Sequence, residues 1–256
     1  DHLILREVGR RSVVAGGIVL DPHPPERRRD VVASLQILRD ATDPDSRAEA
    51  LLSIRGIGSA HSLAAHAAGG RAHAALADGD LIASPQAATR LEQEAFAAVG
   101  GHNDQNPLRP GMPLSSLASS LGIGPGLTAA IVAASPRLVM EGPVVRSTAF
   151  TPTLEVEQAD EWTAARRILE AAGFAAPPLR DLRLEEEVVH ALVRDGKLIR
   201  VGPDLVYLPE TLDAIVTAAA SLPDGFSVAG FRDTLGITRR QAVPLLEWMD
   251  GHGITR

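Results

Sequence analysis

The sequence contains no cysteine. That removes disulfides and thiolate metal sites, and the expectation is a cytoplasmic chain. Aromatic residues are scarce, 3% of 256, so any core must be built from Ala, Leu, Val and Ile. Cations are outnumbered, 25 Lys and Arg against 32 Asp and Glu, for a net charge of -7. A protein that coats nucleic acid along its length needs the opposite balance, so any such contact has to be local. No apolar run reaches the roughly 18 residues of a membrane span, and no signal peptide opens the chain. There is no GxxxxGK[ST] loop for a nucleotide phosphate and no GxSxG elbow. The reading is therefore of a chain without catalytic residues.

Hydrophobic residues make up 45% of the chain, enough for real cores. Residues 1–20, DHLILREVGRRSVVAGGIVL, are β-type runs punctuated by Gly9, Gly16 and Gly17. Too short to stand alone, they read as the closing strands of a β-domain. Pro22, Pro24 and Pro25 then make a stiff connector, followed by Arg27, Arg28 and Arg29 as a helix start or junction. Helices are predicted near 30–40, 45–54, 58–68 and 70–78. His61, His66 and His73 lack the i, i+4 spacing of a helical zinc pair, so no metal site is expected.

Beyond that, one grammar recurs: helix, turn, helix, polar break, β-run, turn, β-run. It is legible at AAIVAASPRLVMEGPVVRSTAF (129–150), at VVHALVRDGKLIRVGPDLVYL (188–208), more weakly at HAALADGDLIASP (73–85), and at LLEWMDGHGITR (245–256). Leu117 to Ile123 aligns with Phe231 to Ile237. A helix pair followed by a two-stranded hairpin is the winged-helix pattern. The expected fold is mainly α with small β-hairpins (α+β). It divides into a β-domain end with linker (1–25) and four winged-helix units (26–85, 86–152, 153–209 and 210–256), the last truncated before its wing. Because the chain starts at Asp1 and stops where a strand is expected to begin at 254–256, it reads as a piece of a longer protein.

The last unit, FSVAGFRDTLGITRRQAVPLLEWMDGHGITR, differs in charge. Val228, Phe231 and Leu235 share a helical face. Gly236 breaks that helix at a position suited to positive φ. Thr238 is an N-cap for a second helix over 239–250, with Val243, Leu246 and Trp248 or Met249 as its apolar spacing. Arg239 and Arg240 occupy its first turn, where the helix dipole favours acids. Either they meet a phosphate backbone, as the second helix of a helix-turn-helix often does, or they are solvated. The second unit has Gly124-Pro125-Gly126 there and the third Glu185, Glu186 and Glu187, which suit spacers or protein contacts. Two rival readings stay open: a DNA-binding winged-helix transcription regulator, and a protein-interaction array.

Two stretches resemble a known family. LILREVGRRSVVAGGIVLDPHPPERRR is similar to the end of the third β-barrel domain of bacterial selenocysteine-specific elongation factors, and FRDTLGITRRQAVPLLEWMDGHGITR resembles their last winged helix. The resemblance is specific at both ends and rests on architecture in the middle. It implies tandem winged helices after the last strands of an elongation-factor β-barrel. It further implies a messenger-RNA-binding arm that grips a hairpin beside a UGA codon, so that selenocysteinyl-tRNA reaches the ribosome. RNA contacts would come from Arg232, Thr238, Arg239, Arg240, Gln241 and Arg256. The family is a translational GTPase, whose GTP and Mg would belong to an N-terminal domain outside these residues. This region itself would hold no cofactor, act as a monomer and touch no membrane.

Overall fold

The computed structural model describes residues 2–9, 12–21, 28–223 and 225–255. Its element order follows from where the sequence supplies strand formers, prolines and left-handed glycines. β1 (His2–Arg6) and β2 (Val13–Ile18) pair antiparallel, with His2 opposite Ile18. Leu3, Ile4, Leu5, Val13 and Val14 all stay exposed on this ribbon. The connector prolines and Arg27 lie outside the described residues.

α1 (Arg28–Asp40) and α2 (Pro44–Arg55) follow. Asp43 caps α2, its Oδ1 accepting the Ser46 N–H at 2.9 Å. β3 (Ile57–Ser59) leads into α3 (Ala60–His66), and then β4 (Leu76–Asp78) and β5 (Leu81–Ala83) form a hairpin that completes a sheet ordered β3-β5-β4. The helix predicted over 70–78 is absent. Gly69 adopts φ +90°, and the backbone of Gly70 packs so closely on Pro44 that no Cβ would fit. The Arg71 N–H then donates to Asp45 Oδ1 at 2.8 Å, and the His73 N–H donates to Glu49. Carboxylates of α2 thus take the donors that a helix would have used.

The next copy of the pattern is α4 (Pro85–Gln105), β6 (Met112–Pro113), α5 (Leu114–Leu121), α6 (Pro125–Ala134), β7 (Leu138–Glu141) and β8 (Val144–Ser147), with sheet order β6-β8-β7. Leu91, Val99, Leu117, Ile131, Leu138 and Val145 fill its core. A polar clamp closes its edge. Glu92 accepts from Ser135 Oγ at 2.6 Å and from Arg137 Nε at 3.1 Å, while the Arg137 guanidinium lies 4.1 Å over the Phe96 ring. Hydrogen bonds from Arg137 and then Ser135 hold the Glu92 carboxyl below its ordinary value of 4.5. A depressed carboxyl pKa adds stability that is present above 4.5 and lost as pH falls through the lower folded value. Glu92→Gln should therefore flatten acid unfolding of this region below about pH 4.5. Circular dichroism at stepped pH checks this, and parallel acid transitions for both proteins would contradict it.

The chain continues as α7 (Val156–Ala172), a 3₁₀ turn at Leu179–Leu182, α8 (Glu186–Arg194), β9 (Ile199–Gly202), β10 (Leu205–Tyr207), α9 (Pro209–Ala220), α10 (Val228–Leu235) and α11 (Arg239–Gly251). The result is helix-rich α+β with small antiparallel sheets. Ile254 and Thr255 are not in a strand.

Contacts divide the chain into two compact units, Asp1–Gln105 with Pro110–Phe150, and Asn106–Arg109 with Thr151–Arg256. In the second unit one core runs without interruption from Leu169, Val188 and Leu192 through Tyr207 and Ile215 to Phe231, Leu245 and Met249. The last two copies of the pattern therefore share one packed core. Tyr207 is at the centre of this core, its hydroxyl donating to the Phe174 carbonyl at 2.9 Å, and burial pushes its phenol pKa up.

Candidate nucleic-acid interface

The front of α11 is set by a turn that the sequence uses twice. α5 ends on Gly122 (φ 66°, ψ 28°), and α10 ends on Gly236 (φ 64°, ψ 31°). Both are left-handed, where a side chain is disfavoured. Leu117 and Phe231, aligned in the two copies, are each fully buried. In the third copy the left-handed position falls to Arg183 (φ 54°, ψ 33°), and Glu185 occupies the N-cap position of the helix that follows. Glu186 and Glu187 thus stand where the last copy has Arg239 and Arg240. They are engaged: Glu186 with Arg200 at 2.6 Å and His190 at 3.2 Å, Glu187 with Arg109 at 3.1 Å.

On α11 the residues separate by role. Thr238 is the N-cap and Gln241 completes a capping box, its Oε1 accepting the Thr238 backbone N–H at 2.9 Å. Gln241 is 8% exposed, and its Nε2 donates to the Ala176 carbonyl at 3.0 Å. It is thus not on the surface with the other proposed contacts. Both ends of its amide are used in starting α11 and tying it to the loop after α7. The apolar face is also turned by one residue from the expected spacing. Ala242, Leu245 and Met249 are buried, whereas Val243, Leu246 and Trp248 lie at the margin and Val228 is exposed. Of the expected positions Met249 does face the core, four residues on from Leu245.

The cations are exposed at this helix front. Arg239 has no ion pair among the described residues. Arg240 Nη2 donates to Asp204 Oδ2 at 2.9 Å, across from the β9–β10 turn. Arg232, on α10, is held by its neighbour Asp233 through Nε at 2.8 Å and Nη2 at 2.6 Å. Arg256 lies outside the described residues. Asp204 had no signal in the sequence beyond its place in a Gly-Pro-Asp turn, because only the fold brings it to Arg240. No cluster of three metal-ligating side chains occurs among the described residues. No single helix among them is long and apolar enough to cross a membrane.

Residues 218–256, which hold this helix pair, match the family described as elongation factor SelB, winged helix. These residues therefore match a SelB-type winged helix. The chain is 26% identical over 174 residues, 61% of its length, to the selenocysteine-specific elongation factor of Desulfomicrobium baculatum, of which that match covers 27%. Its fold is similar to that in the crystal structure of bacterial selenocysteine-specific elongation factor EF-Sec. The TM-score is 0.58 at 15% identity, over 99% of this chain and 43% of that one. The chain thus spans less than half the length of these relatives.

Gln241→Ala should cost about 1–2 kcal/mol, since it removes a cap and orphans the buried Ala176 carbonyl. Chemical denaturation of the protein would show it, and an unchanged midpoint would mean that the bonds contribute nothing net.

Proposed function

We propose that this chain is the messenger-binding arm of a selenocysteine-specific elongation factor. In this reading the front of α11 grips an RNA hairpin beside a UGA codon, so that selenocysteinyl-tRNA is delivered there. The observation that carries the reading is the exposed Arg239, without an ion pair among the described residues, at the N-terminus of α11 and inside the segment that matches the SelB winged helix. A net charge of -7 with two adjacent arginines at one helix front suits a single small RNA target and discourages indiscriminate binding. A-form RNA hides its bases in a narrow major groove, so a hairpin is gripped by phosphates and read at its unstacked loop bases. The four-unit division at 26–85, 86–152, 153–209 and 210–256, with a β-domain end before it, belongs to the same proposal, as does cytoplasmic work as a monomer. Any GTP hydrolysis would be done by other domains of the factor.

The test is a titration of the gene product carrying this chain. The probes are a short RNA hairpin taken from beside an in-frame UGA, a scrambled RNA hairpin and a DNA duplex, each at two salt concentrations. Selective binding of the UGA-adjacent hairpin is expected. Preference for the duplex would favour a DNA regulator, and indifference to all three would favour a protein-interaction array.

A further inference from the structure

We propose that Asp204 is a positioning residue for RNA recognition: it fixes the guanidinium of Arg240 so that Arg240 reads a base edge, while Arg239 takes phosphate. This rests on the messenger-binding reading above. Asp204 stands in the β9–β10 turn of the preceding copy of the pattern, and that turn is itself firmly held. Its own backbone carbonyl accepts the Leu179 N–H at 3.1 Å. Gly202 lies against Pro244 of α11, where an added Cβ would meet the proline ring carbon at 3.3 Å. Gln241 ties the same end of α11 to Ala176. The backbone at Asp204 therefore has a fixed place relative to the helix, and Arg240 is bonded to its carboxylate through Nη2.

A guanidinium is a planar fork. Anchored at one nitrogen, it keeps its remaining donors in one direction, which suits the fixed donor and acceptor pattern of a base edge. Arg239 has no such anchor among the described residues. The first unit uses the same architectural device differently. Asp78, on β4, lies against Gly126 in the first turn of α6, so close that a Cβ there would collide with the carboxylate. In both units an aspartate from the preceding hairpin reaches the front of the next copy's second helix. Only in the last copy does an arginine meet it.

The experiment compares a UGA-adjacent RNA hairpin with its scrambled form, using wild-type protein, Asp204→Asn, Asp204→Glu, Arg240→Ala, Arg239→Ala and the Asp204→Asn/Arg240→Ala pair. Asp204→Asn keeps the backbone bond to Leu179, and unchanged thermal melting shows that it folds. It should weaken the UGA-adjacent hairpin by about tenfold, as expected for loss of one oriented base contact, and leave the scrambled RNA unweakened. The double variant should bind no worse than Arg240→Ala, and Asp204→Glu should restore part of the loss. Arg239→Ala should weaken both RNAs and lower the salt slope by about one. The inference is overturned if Asp204→Asn strengthens both RNAs alike, leaves both unchanged, or adds its loss to that of Arg240→Ala. If wild-type protein does not distinguish the two RNAs, the messenger-binding reading falls with it.

Discussion

Phe231→Ala is expected to destabilise the second unit by about 3–5 kcal/mol, the usual cost of emptying a buried phenylalanine site. Phe231 is fully buried, and its ring stacks on Phe226 with centroids 5.9 Å apart. It belongs to the one core that also holds Leu192, Tyr207 and Met249. With aromatics at only 3% of the chain, few other side chains have the volume to collapse into the gap. Because this core is continuous, the loss should unfold α8 to α11 together. Denaturant melts followed by Trp248 fluorescence should shift to much lower denaturant. If the variant instead melted in two steps, with α10 and α11 alone lost first, the last two copies would be separate cooperative modules and the continuous core would have misled us.

The Arg239→Ala/Arg240→Ala variant should lose about 3 kcal/mol of binding to the UGA-adjacent RNA hairpin, roughly a hundredfold, because two charge-assisted contacts are removed. Its salt slope should also be shallower, since fewer counterions are released when fewer phosphates are neutralised. Folding should be intact, as both side chains are exposed and the cap that starts α11 belongs to Thr238 and Gln241. A fluorescence-anisotropy titration at two salt concentrations measures both quantities. Equal affinity for wild type and variant would remove the helix front from the interface altogether.

Much of this arrangement was readable from local chemistry. Gly236 ends α10 in the left-handed conformation and Thr238 caps α11 because these are single-residue preferences of the backbone. The repeat of Leu117–Ile123 in Phe231–Ile237 was visible because the same turn needs the same residues in the same order. The Asp-Gly turn at 78–79 likewise placed the β4–β5 hairpin, with Gly79 at φ +58°.

What the sequence by itself determined was the winged-helix pattern, the acidic body and the basic front of α11, since these depend on neighbours a few residues apart. The tertiary structure decided the rest. It replaced the helix expected at 70–78 because Asp45 and Glu49, more than twenty residues earlier, take the backbone donors. It tied the front of α11 through a buried glutamine to Ala176, 65 positions away. It paired Arg240 with Asp204, 36 positions away. No local preference encodes such partners. They exist only once helices and hairpins have packed, and they are what holds Arg240 in place.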